Sequence, residues 1–227
     1  MKTLAMIPAR LGSQRLAKKN LRLLGGIPLI TRAIRRCLRA GVFSEVWVNS
    51  EASVFGEIAA AKGVRFHQRP PELGNHSATS EEYIAEFLRQ HECDYLVQVH
   101  SIAPLLTVQQ IRSFAAQLEA GNCDALLSYV PEQIECAYRD QPVNFSFETK
   151  TNSQELQPLQ RISWSITGWR RSTYLEAAAA GRCATYAGHI GFHAVDRLAG
   201  HVIKTQDDLR MAEALLPLRT GEDPDSV

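Results

Sequence analysis

Apolar and polar positions along the chain switch between two periods. Leu4-Ala5-Met6-Ile7-Pro8 is a short apolar run of strand length, and so are Glu45-Val46-Trp47-Val48-Asn49, Val64-Arg65-Phe66, Tyr95-Leu96-Val97-Gln98-Val99 and Ala125 to Tyr129. Between them the apolar positions recur every three to four residues, which predicts helices over 28–40, 53–62, 80–91, 108–120 and 205–216. In the first helix Leu29, Ile30, Ala33, Ile34, Cys37 and Leu38 share one face. Arg32, Arg35, Arg36 and Arg39 then fall on a solvated face. Pro28 suits the first turn and Gly41 the position just past the end. Ser80 reads as an N-cap with Glu81 and Glu82 behind it, and Thr205 as another with Asp207 and Asp208. Strand–helix alternation of this kind predicts an α/β fold with a doubly wound, mainly parallel, Rossmann-like sheet.

The rhythm stops after Pro131. Residues 131–160 are polar and aperiodic, and a loop that long inside a compact domain is usually functional or lies at an interface. A hairpin-like pair is expected around 161–169 and 188–194. One domain over 1–216, with an insertion at about 131–165 and a flexible tail over 217–227, is the expected organisation.

Composition adds limits. The chain has 227 residues, 45% of them apolar and 22% charged, in the ordinary range for a globular protein. A formal net charge of +1 gives no case for bulk attraction to nucleic acid or membrane. No apolar run approaches the roughly 18 residues of a membrane span, and no signal peptide is evident. Five scattered cysteines (Cys37, Cys93, Cys123, Cys136 and Cys183) form no C-x-x-C pair. Reduced thiols in a cytoplasmic protein account for them most simply.

The strongest candidate chemistry follows the first strand. The loop Ala9-Arg10-Leu11-Gly12-Ser13-Gln14-Arg15-Leu16-Ala17-Lys18-Lys19-Asn20 carries small residues and four cations. Ligands of open α/β sheets bind at the carboxyl ends of strands. Small residues let backbone N–H groups approach a phosphate, and Arg and Lys supply countercharge. An ordinary solvated basic loop is the alternative. Neither G-x-x-x-x-G-K-[ST] nor G-x-G-x-x-G occurs.

Ile7-Pro8-Ala9-Arg10, Gly12-Ser13, Arg15 and Lys19-Asn20 resemble the N-terminal signature of the CMP-sugar synthetases, the acylneuraminate and KDO cytidylyltransferases. Arg69-Pro70-Pro71-Glu72-Leu73 with Ala78-Thr79-Ser80, Pro104-Leu105-Leu106-Thr107, Gln154-Glu155-Leu156 ahead of Gln160-Arg161-Ile162, and Asp208-Leu209 with Ala212-Glu213 are similar to later family segments, in the same order. The resemblance implies a cytoplasmic homodimer that transfers CMP from CTP to an acidic sugar, of nonulosonic acid or KDO type, for cell-surface polysaccharide. It implies that Arg10 and Lys19 grip the triphosphate, within a nucleotide site of Ala9, Gly12, Ser13, Arg15, Asn20, Arg69, Thr79, Ser80 and His100. Gln154, Arg161 and Ser163 fall to the acceptor side, and the 131–165 insertion to dimer contacts. Mg²⁺ is the implied cofactor, carried by the nucleotide.

The chain departs from the family where the metal would be held. The register of the acylneuraminate D-I-D-T motif reads Val202-Ile203-Lys204-Thr205, and the Asp of the KDO motif Q-G-D-E-P-L is Ile102. The metal could ride on the triphosphate alone, with no protein ligand identified. Lys204 could replace part of its charge and act with Arg10 and Lys19 in catalysis. The protein could also be a non-catalytic nucleotide- or sugar-binding paralogue, or a nucleotidyltransferase with a changed acceptor or base. With the register near 202 shifted by a few residues, Asp196, Asp207 and Asp208 become the candidate metal ligands. His100, just past a central strand, could contact a phosphate, act as a base or be a hydrogen-bonded histidine. His189, His193 and His201 lack compact metal spacing. Trp164 and Trp169, five apart in an expected strand, fall on opposite faces and read as core or interface.

Overall fold

The computed structural model describes residues 1–75 and 77–219. Seven strands form one sheet: β1 (Thr3–Pro8), β2 (Glu45–Ser50), β3 (Arg65–Gln68), β4 (Tyr95–Val99), β5 (Ala125–Glu132), β6 (Leu159–Arg170) and β7 (Ile190–Ala194). Six helices accompany it: α1 (Leu29–Ala40), α2 (Ser53–Ala61), α3 (Ser80–Gln90), α4 (Val108–Glu119), α5 (Arg171–Ala179) and α6 (Gln206–Leu215). The strand order is β7-β5-β6-β4-β1-β2-β3. All neighbours pair in parallel except β6, which is antiparallel to β4 and β5. The chain runs outward from β1 to β3, then crosses to the other side of β1 to lay down β4. That reversal opens a crevice at the carboxyl ends of β1 and β4, where ligands of such sheets bind.

Apolar side chains cover both faces of the sheet. Ile7, Ile34, Val48, Phe55, Val97 and Phe114 belong to one core, and Leu4, Met6, Phe87, Leu96, Trp169 and Tyr174 to the other. A third, smaller cluster gathers Leu16, Leu24 and Leu29 with Ile203, Leu209 and Ala212 of α6 and the residues before it. Leu16 thereby pins the middle of the basic loop.

Four expectations are corrected. Arg32 and Arg36 are not on a solvated face, at 2% and 4% exposure. Residues 22–28 fold back over α1, and Arg32 Nε donates to the Leu24 carbonyl at 2.9 Å. Residues 161–169 and 188–194 are not a hairpin, because β5 lies between β6 and β7. The α5 helix, whose alanine run gives almost no apolar stripe, separates them in sequence. Trp164 and Trp169 do not follow simple alternation: the β6–β5 register shifts between Ile162 and Thr167, and Trp164 takes φ +56°. Trp169 is a core residue whose indole donates to the Thr185 carbonyl at 3.0 Å. The cap of α3 is Thr79 rather than Ser80, in a capping box with Glu82. Thr205 caps α6 as expected, boxed with Asp208.

Of the expected tail, Leu216–Arg219 is a 3₁₀ turn held by Arg219 to Asp196 at 2.5 Å, and 220–227 lie outside the described residues. The expected insertion is shorter than 131–165, because β5 runs on to Glu132 and β6 begins at Leu159; between them a two-residue ladder, Ala137–Tyr138 with Gln141–Pro142, interrupts the irregular run.

Candidate active site

The basic loop leaves β1 at Pro8, and its backbone is fixed by polar side chains from beneath. Ala9 N–H donates to the Asn49 carbonyl at 2.9 Å. Arg69 Nη2 donates to the Ala9 carbonyl at 2.8 Å and to Glu51 Oε2 at 2.9 Å, and Nη1 reaches Asn49 Oδ1 at 3.3 Å. Its guanidinium also lies 4.8 Å from the Tyr83 ring centroid. Glu51 Oε1 accepts from Leu11 N–H at 2.9 Å. Asn20 Nδ2 donates to the Arg10 carbonyl at 3.1 Å, and its Oδ1 accepts from Ser101 Oγ at 2.8 Å. Lys18 adopts φ +50°, ψ +37°, a left-handed conformation unusual for lysine, and turns the chain into a 3₁₀ turn that begins with Lys19.

Two hollows open side by side on this loop. A cleft of about 270 Å³ is lined by Ala9, Arg10, Ser13, Lys19, Asn20, Arg69, Ser80 and His100, with Asn75, Tyr83 and Ile102. A second hollow of about 290 Å³ shares Arg10, Ser13 and Lys19 and adds Gln14, Arg15, Leu16 and Lys204. Arg10, Arg15, Lys19 and Lys204 converge there although Lys204 is far away in sequence. Burial, then Arg15, Arg10 and Lys204, pull the Lys19 ammonium down to about 8, with only Asp208 opposing. The Lys19 ammonium makes no hydrogen bond or ion pair to a described residue, whereas its backbone carbonyl accepts from Arg22 N–H at 3.0 Å. Burial, then Lys19, pull the His100 imidazole down to about 4, so it is neutral at physiological pH. Its Nε2 is shut off from solvent and has no hydrogen-bond partner, and neither has Arg69 Nε. Both residues line the same cleft. Buried polar atoms without partners are uncommon in folded proteins and call for an explanation.

The model of the family described as Cytidylyltransferase matches residues 4–193. The chain belongs to the cytidylyltransferase family. N-acylneuraminate cytidylyltransferase A of Danio rerio is 30% identical over 165 residues, 71% of this chain and 38% of that protein. N-acylneuraminate cytidylyltransferase of Streptococcus agalactiae is 27% identical over 199 residues, 82% of this chain and 48% of that protein. The chain thus spans under half the length of these two relatives. Among solved structures, CMP:2-keto-3-deoxy-manno-octonic acid synthetase complexed with CTP superposes with a TM-score of 0.74 at 17% identity, over 96% of this chain and 100% of that one. That likeness concerns the fold, and it agrees with the doubly wound sheet expected from the sequence. The resemblance to the CMP-sugar synthetases is borne out by these relatives.

The cytidylyltransferase cleft gathers most of the expected nucleotide residues but leaves some outside. Thr79 lines a different hollow, beside Glu81, Glu82 and Glu86. Its hydroxyl is engaged with Glu82. Gly12 lines neither loop hollow, and a Cβ there would meet open space. None of the three acceptor candidates lines either hollow. Ser163 is interior, 2.9 Å from Ser128 Oγ and 3.1 Å from Ser165 Oγ, inside the β6 bulge. Arg161 pairs with Glu132 at 3.0 Å. Gln154 lies on the exposed arm, its carbonyl accepting from Gln133 at 2.8 Å. The histidines do not converge: His189 Nδ1 meets the Asn122 carbonyl, His193 meets Gln117 and Ser113, and His201 meets the Asp208 carbonyl.

Glu51, Tyr83, Asn75 and Ser101 were not singled out from the sequence. Glu51 directly follows β2, so the same strand-end rule that selects Arg10 would have found it. Tyr83 lies three residues after Ser80 on α3, hence on the same helix face.

The donor set does not fit a protein-held Mg²⁺. That ion requires oxygen ligands in near-octahedral array. Asp208, the acid that opposes the downward shift of Lys19, already accepts on Oδ2 from Lys204 N–H, Thr205 N–H and Thr205 Oγ. Asp196 is tied to Arg219 and Gln110, Asp207 to Arg210, and Glu51 to Arg69 and Leu11. No group of three or more His, Cys, Asp or Glu among the described residues could hold a metal ion.

Proposed function

We propose that this cytidylyltransferase transfers CMP from CTP to an acidic sugar of the acylneuraminate or KDO class, releasing pyrophosphate. The convergence of Arg10, Arg15, Lys19 and Lys204 on one hollow, beside a cleft with polar walls, carries this reading. A triphosphate bears several negative charges, and its transfer depends on positioning and on charge stabilisation. Lysine and arginine supply that charge here. Arg10 and Lys19, shared by the two hollows, hold the phosphates at their junction, and Lys204 adds a cation where the family has an acid. Ser13, Arg15 and Asn20 complete the loop, while Arg69 and Ser80 face the nucleoside. A divalent cation arriving with CTP is held by the nucleotide's own oxygens.

Pyrophosphate release from CTP, measured with N-acylneuraminate and with KDO, with and without Mg²⁺, tests this reading. Release with either acid is expected, and no release with any acid overturns it. A second reading, a protein that binds CTP without transferring CMP, is favoured by the absence of Gln154, Arg161 and Ser163 from the lining of either hollow. Tight CTP binding without turnover would select it.

The exposed Tyr138, Val143 and Phe147 on the insertion support its proposed role as the contact between two copies in a homodimer. A monomeric mass by light scattering would remove that role. No helix among the described residues is long and apolar enough to cross a membrane. All five cysteines are free thiols, which supports the proposed cytoplasmic location.

A further inference from the structure

We propose that this site takes CTP in its metal-free form, with Lys204 supplying charge that a protein-held Mg²⁺ would otherwise supply, and that Mg²⁺ hinders the transfer. The proposal rests on the transfer reading above and goes beyond it. Among the described residues, no carboxylate lines the cleft or the neighbouring hollow. Asp208 is spent on the backbone that presents Lys204: its Oδ2 accepts from Lys204 N–H at 2.9 Å and from Thr205 N–H at 2.8 Å. On the other side of Lys204, Ile203 N–H donates to the Ile102 carbonyl at 2.8 Å. The Ile203 side chain is fully buried in the third cluster, together with Leu16 of the basic loop. The backbone of Lys204 is thus fixed from both sides against the loop that carries Arg10, Arg15 and Lys19, while Lys204 itself is exposed and lines the hollow. Ile102 lines the cleft and offers no ligand atom on its side chain.

Charge decides between the two forms of the nucleotide. Metal-free CTP bears about four negative charges near neutral pH, and a bound dication cancels about two of them. Arg10, Arg15, Lys19 and Lys204 line the hollow. These four cations match the metal-free form and exceed the charge of the magnesium complex. A dication on the phosphate oxygens also takes those oxygens from guanidinium and ammonium donors, and the four side chains repel it. The crowding is already felt within the chain, where Arg15, Arg10 and Lys204 all disfavour the charged form of Lys19. In the transfer, the acceptor oxygen forms its bond to the α-phosphorus and its proton passes to solvent. The bond from that phosphorus to the bridging oxygen breaks, and its electron pair leaves with pyrophosphate. Arg15 and Lys204, which line only the second hollow, meet the charge that grows on this leaving group.

The test uses the full chain with CTP, in a metal chelator and in millimolar Mg²⁺. Calorimetry should show metal-free CTP bound roughly tenfold more tightly than the magnesium complex, the worth of one charge-assisted contact. Pyrophosphate release with N-acylneuraminate or KDO should persist in chelator and slow as Mg²⁺ is added. Lys204→Met, at an exposed position, should leave the midpoint of unfolding no lower. It should weaken metal-free CTP roughly 30-fold and the magnesium complex less than about threefold. Lys204→Arg should keep the preference for metal-free CTP, and Lys204→Asp should invert it. Release that requires Mg²⁺ in wild type overturns the proposal while leaving CMP transfer intact. Equal losses of both forms of CTP in Lys204→Met also overturn it, because the lysine then adds only general attraction. If no acid yields pyrophosphate in either condition, the transfer reading fails separately. Calorimetry then still decides, and a magnesium complex bound as tightly as metal-free CTP overturns the proposal.

Discussion

On one side of α3 the cleft lined by Ser80 and Tyr83 joins the cationic hollow through Arg10 and Lys19, and on the other side acids outnumber the two arginines, Arg89 and Arg182, of a third hollow. On one side Arg10, Arg15, Lys19 and Lys204 face one another. On the other, Glu72, Glu81, Glu82 and Glu86 line a hollow of about 550 Å³. Three of these four carboxylates are satisfied by the protein itself. Glu81 accepts from Thr185 N–H at 2.6 Å and from Cys183, and these bonds outweigh its burial and hold its carboxyl below the usual range. Glu82 closes the Thr79 cap, and Glu86 meets His67 Nε2 at 2.7 Å. Lys19 has no such partner, and its ammonium is driven down instead. Charge that the fold neutralises is architecture. Charge that it leaves concentrated awaits a ligand.

The contrast can be broken most severely at Arg69, which supports the cationic side by holding the Ala9 carbonyl. Arg69→Met should cost about 3 kcal/mol of folding stability, because it leaves the largely buried Glu51 without its partner. Chemical denaturation would measure the loss, and a change under 1 kcal/mol would mean that the loop is held by other contacts. Lys19→Met should act in the opposite sense on stability. It removes a half-buried cation from among like charges, so the midpoint of unfolding should rise. CTP affinity should fall roughly 30-fold, the equivalent of one charge-assisted hydrogen bond of about 2 kcal/mol. A variant that loses both stability and affinity would show that Lys19 is a structural residue.

The pH dependence sharpens the same point with no mutation. Free Lys19 loses its proton near pH 8, whereas the unfolded chain keeps it to about 10.5. Between those values the unfolded state binds more protons, so this group's contribution to stability increases with pH. A bound triphosphate restores the proton, so CTP affinity should fall about tenfold for each pH unit above 8. Calorimetry in buffers of different ionisation enthalpy should record proton uptake on binding at pH 9. Uptake that persists in Lys19→Met would assign the proton elsewhere.

The nucleotide half of the fold was legible because its signals are local. Strand-length apolar runs, amphipathic helices and a basic loop at a strand end are each contained within about twenty residues. The acceptor half was not. Ser163 is drawn inside by a register shift between β6 and β5, which no alternation rule anticipates. The antiparallel β6 breaks the parallel rhythm, and α5 is an alanine-rich helix with no apolar stripe. Arg32 and Arg36 follow the helical period, yet both are buried, Arg32 beneath the turn that residues 22–28 fold over it. Lys204 was grouped with Arg10 and Lys19 only through its register with the family's metal-binding motif, as a cation replacing part of the metal's charge. Its place beside Lys19 depends on where the segment before α6 crosses the loop, which is a tertiary fact.

The smallest effects separate two adjacent hydroxyls that the sequence could not tell apart. Thr79 and Ser80 both precede α3, and either could cap it. In the structure Thr79 Oγ1 accepts from Glu82 N–H at 3.3 Å, and Glu82 returns a bond to Thr79 N–H at 2.6 Å. Ser80 is the first helical residue and lines the cleft beside the basic loop. Thr79→Ala should therefore cost about 1 kcal/mol of stability, the usual worth of a cap, and leave CTP affinity unchanged. Ser80→Ala should leave stability within about 0.5 kcal/mol and lower CTP affinity about fivefold, one neutral hydrogen bond of about 1 kcal/mol. Thermal unfolding and calorimetry on the same two variants measure both quantities. If Thr79→Ala weakens CTP and Ser80→Ala does not, the nucleotide lies on the carboxylate side of α3, and the assignment of the two hollows is reversed. If both variants lose only stability, the nucleoside does not reach α3, and the remaining lining of the cleft, such as Arg69, Asn75 and His100, forms its wall.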